Sequence, residues 1–357
     1  MNQLELILEI LKQNRRNLKN KIDYLIGDKN SFHPETPVVL LDEVSHGNLG
    51  DQAIAYAEHQ FIKKHTGYNL SSLLDFEATK CLKALHHDVE NHSTILFFHG
   101  GGNFGTLYPS AESFRRTVLK KFPDVKIIMF PQSIFFSNDK KGNYELELSS
   151  KIYSNRKNLL IFAREPRSYE IIKNNFKNKV FLVPDIVFSL DITERLKGNR
   201  REGVITLFRN DQEKKISAQI LTEINKYLTI NFKKITDSDT HIGPKYNNKI
   251  DSSNREEFLF EKWNEIAAHE LAITDRLHGM IFSYITKTPC IVFENNNHKI
   301  RETYDYWLKD CNYIEMVSSF EDFKSASEKL SKIKPKMKDF SKDFSTLANE
   351  ISIRFTS

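Results

Sequence analysis

The chain has 357 residues, 39% hydrophobic and 28% charged, with 13 Gly and 10 Pro, a balance that excludes collagen, low-complexity disorder and a disulfide scaffold. Its formal charge of +5 is mild for this length: it suits anionic small molecules or a membrane surface and makes no demand for nucleic acid. Single cores stop growing at roughly 250–300 residues, so two domains are expected.

Leu4, Ile7, Leu8, Leu11, Leu18, Ile22 and Leu25 recur near a helical period and predict an amphipathic helical segment within residues 1–36. Lys12, Arg15, Arg16, Lys19 and Lys21 make its other faces basic. Two roles fit: a helix packed on the first domain, or peripheral contact with anionic headgroups at the inner face of a membrane. No apolar run approaches the ~18 residues of a membrane span, and Glu5 and Glu9 interrupt what a signal peptide would leave apolar. Cys81, Cys290 and Cys311 are odd in number and form no CxxC, so the expected location is the cytoplasm.

From residue 37 to 196 the pattern alternates. Short apolar runs at Val38–Val44, Thr94–Phe98, Lys126–Phe130, Leu159–Ala163 and Val180–Val183 read as parallel strands buried on both faces. Helical spacing falls at Gln52–Lys64, Glu112–Lys121 and Arg167–Asn175, the last preceded by Pro166 at a first-turn position. Arg195–Gly203 has the composition of a linker. A second series fills 203–335: strands at Gly203–Phe208, Phe232–Ile235, Leu271–Thr274 and Pro289–Phe293, helices at Gln212–Leu228, Arg255–His269 and Leu277–Thr286. The tail, 336–357, ends in a helix over Met337–Phe355. The expected fold is α/β, two doubly wound Rossmann-like domains facing a cleft.

Ligands of such sheets bind beyond the carboxyl ends of strands, so the residues after each apolar run matter most. The first strand leads into Ser45-His46-Gly47-Asn48-Leu49-Gly50-Asp51, a tight turn with Asp51 at a helix start, suited to an anion or a sugar hydroxyl. The second leads into His99-Gly100-Gly101-Gly102-Asn103. Three consecutive glycines there imply close approach of a ligand or of neighbouring backbone, and neither a P-loop nor GxGxxG is present. Pro131-Gln132-Ser133 and Arg164-Glu165-Pro166-Arg167-Ser168 end the third and fourth strands. Two roles are open for Arg164: a guanidinium fork facing the cleft, or an ion pair with Glu165 or Asp185. In the second domain Thr274-Asp275-Arg276-Leu277-His278-Gly279 opens a helix. Arg276, His278 and the free N–H groups there suit a phosphate or a carboxylate. Arg209 and the Glu294–Arg301 loop, with His298 and Lys299, are further candidates. His86, His87, His92 and His99 form no metal-binding pattern, and no metal is expected.

In this order, GNLGDQAI (47–54), HGGGN (99–103), PQS (131–133), REPRS (164–168), Pro184-Asp185 and TDRLHG (274–279) resemble the polysaccharide pyruvyl transferase family. The resemblance implies a GT-B-like fold. It also implies phosphoenolpyruvate as co-substrate, with no other cofactor. The acceptor would be a sugar of an exopolysaccharide, cell-wall polymer or glycan, free or lipid-linked, and the product a cyclic pyruvate ketal. By the same resemblance Arg164, Arg276, Leu277 and His278 would hold the donor. The residue chemistry agrees, since a phosphate and a carboxylate call for two cationic anchors, with the backbone at Leu277 and His278 adding N–H donors. An imidazole, whose ordinary pKa is about 6.5, is the natural proton carrier, which makes His278 the expected catalytic residue. Asn48, Asp51, Gly101, Gly102 and Asn103 are assigned to the acceptor, although Asp51 equally suits holding its own turn. The competing readings are a GT-B-type glycosyltransferase using a nucleotide sugar and an inactive glycan-binding relative.

Overall fold

The computed structural model describes residues 3–91, 93–198, 200–209, 215–295 and 298–356. They form two units, one of Met1–Ser45, Ala57–Ile186 and Asp343–Ser357, the other of His46–Tyr56 and Val187–Lys342.

The first unit begins with helix α1 (Gln3–Ile26) and strand β1 (Val38–Glu43). Helix α2 (Leu49–Thr66) gives its first residues to the second unit and the rest to the first. Then follow β2 (Ser71–Leu74), α3 (Ala78–Asn91), β3 (Ile95–Phe98), β4 (Gly101–Gly105), α4 (Pro109–Lys121), β5 (Ile127–Phe135), α5 (Lys140–Ser154), β6 (Leu159–Ala163), α6 (Pro166–Asn175) and β7 (Lys179–Leu182). The sheet is parallel in the order β2-β1-β3-β5-β6-β7, and β4 pairs with the far end of β5. Every residue of β1, β3 and β6 is buried, which is why these runs are continuously apolar rather than alternating. Under the sheet, Phe104 stacks on Tyr153 with ring centroids 5.0 Å apart and meets Phe176 edge-on.

The second unit contains β8 (Val204–Leu207), α7 (Ala218–Asn231), β9 (Ile235–Asp237), α8 (Arg255–Ala267), β10 (Leu271–Thr274), α9 (Leu277–Ile285), β11 (Cys290–Phe293), α10 (Lys299–Thr303), β12 (Ile314–Val317) and α11 (Phe320–Leu330). Its sheet is parallel in the order β12-β11-β10-β8-β9. Trp263, Phe282 and Tyr284 are buried in its core. Helix α12 (Ser345–Thr356) returns the chain to the first unit.

Both series of strands and helices therefore appear in the expected order, with informative displacements. The third strand does not stop at Phe130: β5 runs on to Phe135, so Pro131-Gln132-Ser133 lies inside a buried strand and not on a loop. Gly101–Gly105, where close approach of a ligand or of backbone is expected, is a strand pairing with β5. The helix expected over Gln212–Leu228 starts at Ala218, because Ser217 caps it by accepting from the Ile220 N–H at 3.2 Å; residues 212–214 lie outside the described ones, as do His92, Asn199, Asn296 and Asn297. The last helix starts at Ser345, not Met337. Grouping also departs from chain order: 46–56 and 187–196, placed by sequence in the first domain, belong by contact to the second unit. Among the described residues no helix is long and apolar enough to cross a membrane.

Candidate active site

In the second unit the segment after β1 comes to lie beside the start of α9. Leu49 donates its N–H to the Thr240 carbonyl at 2.8 Å, Ile242 donates to the Gly47 carbonyl at 2.8 Å, and Asn48 and His241 form an antiparallel bridge. Gln52 is fixed from two sides: its Nε2 donates to the His46 carbonyl at 2.8 Å, and its Oε1 accepts from Arg255 Nε at 2.6 Å. This seats Gly50 against the imidazole of His278. A Cβ at position 50 would stand 2.2 Å from His278 Nδ1, so only glycine admits the ring there. Asn48 spans its own turn, accepting from the Gly50 N–H at 3.0 Å and donating to Asp51 Oδ2 at 2.7 Å. The turn-holding role weighed for Asp51 is thus present, and Asn48 shares it.

Beyond β10 the chain turns through Asp275 and Arg276 into α9. Arg276 Nη2 lies 2.6 Å from Asp239 Oδ2, and its N–H donates to Thr274 Oγ1 at 3.0 Å. Asp275 is buried and accepts the Arg209 N–H at 2.8 Å. Burial raises its carboxyl pKa to about 6, against the opposing pull of Arg209 and Arg276. Two guanidinium-bearing residues, an imidazole and the N-terminus of a nine-residue helix therefore converge at the carboxyl edge of one sheet. By sequence the 47–50 turn falls in the first domain and the Arg276–His278 turn in the second. They share a unit, and the backbone pairing of 47–49 with 240–242 that unites them leaves no periodicity in the sequence.

In the first unit Glu58 organises the glycine turn. Its Oε1 accepts the Gly100 N–H at 2.7 Å and its Oε2 lies 2.8 Å from His99 Nδ1, both side chains being fully buried. Burial raises the Glu58 pKa while His99 and the Gly100 N–H oppose the rise. Gly101 takes φ +102°, a conformation that L side chains rarely adopt. Asn103, expected to meet the acceptor, accepts from Arg115 Nη1 at 2.9 Å through its side chain. Asp42, at the end of β1, has the left-handed φ of +63° without being glycine, and no sequence signal marked it. Burial pushes its pKa up to about 7, although Arg115 draws it down.

For Arg164 the ion pair is what the structure contains. The residue is 3% exposed; Nη1 lies 2.6 Å from Asp185 Oδ2 and Nε donates to Ser133 Oγ at 2.7 Å. Ser133 in turn donates to Glu165 Oε2 at 2.9 Å. These links join the ends of β5 and β6 to Asp185.

Comparison with known proteins adds an independent line. A family model described as polysaccharide pyruvyl transferase matches residues 48–297. General stress protein 30 of Bacillus subtilis is 36% identical over 316 residues, covering 87% of this chain and 90% of that protein. Pyruvyl transferase 1 of Schizosaccharomyces pombe is 30% identical over 299 residues, covering 79% and 72%. Among solved structures, a UDP-GlcNAc 2-epimerase of Methanocaldococcus jannaschii in complex with UDP-GlcNAc and UDP gives a TM-score of 0.51 at 14% identity, over 88% of this chain and 99% of that one. That likeness is one of fold, and it makes the two parallel-sheet units GT-B-like.

Proposed function

The chain belongs to the polysaccharide pyruvyl transferase family, a family of transferases, and from that membership we propose that it moves pyruvate from phosphoenolpyruvate onto a sugar as a cyclic ketal. The observation that carries this reading is the Arg276–His278 turn with the His278 ring seated on Gly50. Arg276 and Arg209 supply the two cationic groups for the donor's phosphate and carboxylate, and the N–H groups of Leu277 and His278 add donors at the helix start. In this reading Arg164, buried on Asp185, takes a positioning role; the donor contact expected of it is tested by Arg164→Ala. Asn48 and Asp51, on either side of Gly50, are kept as acceptor candidates of the second unit; Gly101, Gly102 and Asn103 are those of the first, although the side chain and the carbonyl of Asn103 both accept from Arg115.

The chemistry balances with two sugar hydroxyls. A proton delivered to the methylene carbon of phosphoenolpyruvate makes its central carbon electrophilic. One hydroxyl adds there, the C–O bond to phosphate breaks, and the second hydroxyl closes the ring. Of the two hydroxyl protons released, one replaces that given to the methyl group and the other leaves on phosphate. His278 is the group that moves the proton.

The test is phosphate release from phosphoenolpyruvate with a panel of glycans. Release is expected with a glycan and no nucleotide, and His278→Ala should lower turnover by about 10²–10⁴-fold while leaving donor affinity within a few-fold. Release of a nucleoside diphosphate from a nucleotide sugar, with none from phosphoenolpyruvate, would replace this reading by glycosyl transfer.

A further inference from the structure

Helix α1 is built inside out. The side that faces α4 and α5 is polar. Glu9 and Gln13 are 8% and 2% exposed. Asn20 Nδ2 donates to the hydroxyls of Ser113 and Thr117 on α4 at 3.1 Å each, and Asn17 Oδ1 accepts from Ser113 Oγ at 3.3 Å. Glu9 sits 3.4 Å from both Arg16 Nη2 and Lys141 Nζ. Tyr24 turns inward, edge-on to His86 of α3, but the row Leu8, Leu11, Leu18, Ile22 and Leu25 points the other way and is 46% to 59% exposed. A helix that only covers its own domain buries its apolar stripe and solvates its polar one.

The spacing of the exposed row identifies what would cover it. Positions 8, 11, 15, 18, 22 and 25 alternate steps of three and four, a heptad with a at 8, 15 and 22 and d at 11, 18 and 25. Leucine recurs at every d, and Leu4 continues the series by sequence. The helix is 24 residues long, a little over three heptads, enough to sustain such a seam. Over its middle the stripe is narrow, bordered by Lys12 and Lys19 on one edge and Asn14 and Lys21 on the other, all exposed, while Ile7 and Ile26 widen it at its two ends. An interfacial helix presents a broader apolar face and keeps its cations off it. Here Arg15 stands within the row, at a, where coiled coils tolerate one polar residue at a cost in stability.

We infer that α1 is a dimerisation helix, pairing in parallel with α1 of a second copy of this chain. Leucine at d with the β-branched Ile22 at a favours two strands. Across the flanks of a parallel pair, g meets the following e as Ile7–Lys12, Asn14–Lys19 and Lys21–Ile26. Each such pair holds at most one charge, so nothing along the edges opposes self-association. The single mismatch is Arg15 against Arg15 of the other copy.

Sedimentation velocity on the full chain at micromolar concentration tests this. The wild type should be dimeric. L11E/L18E, changed only at exposed positions, should be monomeric with an unchanged far-UV circular dichroism spectrum. R15L should tighten the dimer by roughly tenfold by removing the mismatched layer. A monomeric wild type, a dimer that survives L11E/L18E, or an R15L chain no tighter than the wild type would each overturn the assignment. A monomer that floats with phosphatidylglycerol vesicles in a salt-sensitive way would overturn it in favour of a lipid surface.

Discussion

Arg164 and Asp42 show how far one side chain's meaning depends on what lies beside it. Asp185 is 1% exposed and 2.6 Å from the Arg164 guanidinium. Arg164→Ala would leave that carboxylate buried without this countercharge, which costs about 3–5 kcal/mol. Urea unfolding should show a loss of that size; an unchanged midpoint with a raised KM for phosphoenolpyruvate would return Arg164 to the donor. Asp42 is a buried carboxyl of another kind. Its folded pKa of about 7 exceeds the ordinary 3.8, so its contribution to stability is full below the unfolded value and is lost as pH rises through the folded one. Asn at this position is neutral throughout and tolerates the left-handed backbone. Asp42→Asn should therefore gain on the wild type between pH 5 and pH 8, by roughly 2–4 °C in Tm for each kcal/mol recovered. A difference between the two melting curves that stays flat with pH would show that Asp42 carries no buried charge.

At the scale of elements, the segment 47–50 and the first turn of α9 act as one piece, because the Gly50 Cα faces the His278 ring. Gly50→Ala puts a methyl 2.2 Å from Nδ1, and the ring must move. A displacement of about an ångström at a reacting group costs on the order of 100-fold in rate. Turnover is expected to fall by that amount with the thermal midpoint close to the wild type's; full turnover in the variant would remove His278 from the chemistry. The sequence made Gly50 and His278 each visible, since both follow buried strands. What it hid was their adjacency, which rests on Leu49 and Ile242 exchanging backbone hydrogen bonds with residues nearly two hundred positions away. β5 was hidden differently: Pro131 at its middle reads as a strand end, because proline removes a ladder donor, yet the strand continues and buries Gln132 and Ser133. Arg115 and Glu58 carry no mark in the sequence, since nothing local distinguishes a buried charged residue on an amphipathic helix from a solvated one.

For the whole molecule, alternating apolar runs foretold two doubly wound units, because a strand covered on both faces must be apolar throughout. The units' membership was less legible: the second takes 46–56 from a stretch of sequence otherwise belonging to the first, and the first takes back 343–357. The net charge of +5 belongs to this scale too. Arg209 and Arg276 flank Asp275 at one sheet edge, Arg276 being also paired with Asp239; under the proposed function their guanidinium groups meet the donor's phosphate and carboxylate. A divalent cation would duplicate that role. Phosphate release should accordingly be the same in excess EDTA as without it, while rising salt should raise the KM for phosphoenolpyruvate by screening the guanidinium groups. A loss of activity greater than about tenfold on chelation, restored by Mg²⁺, would mean that these arginines do not suffice and that the donor is bridged to the protein through a metal.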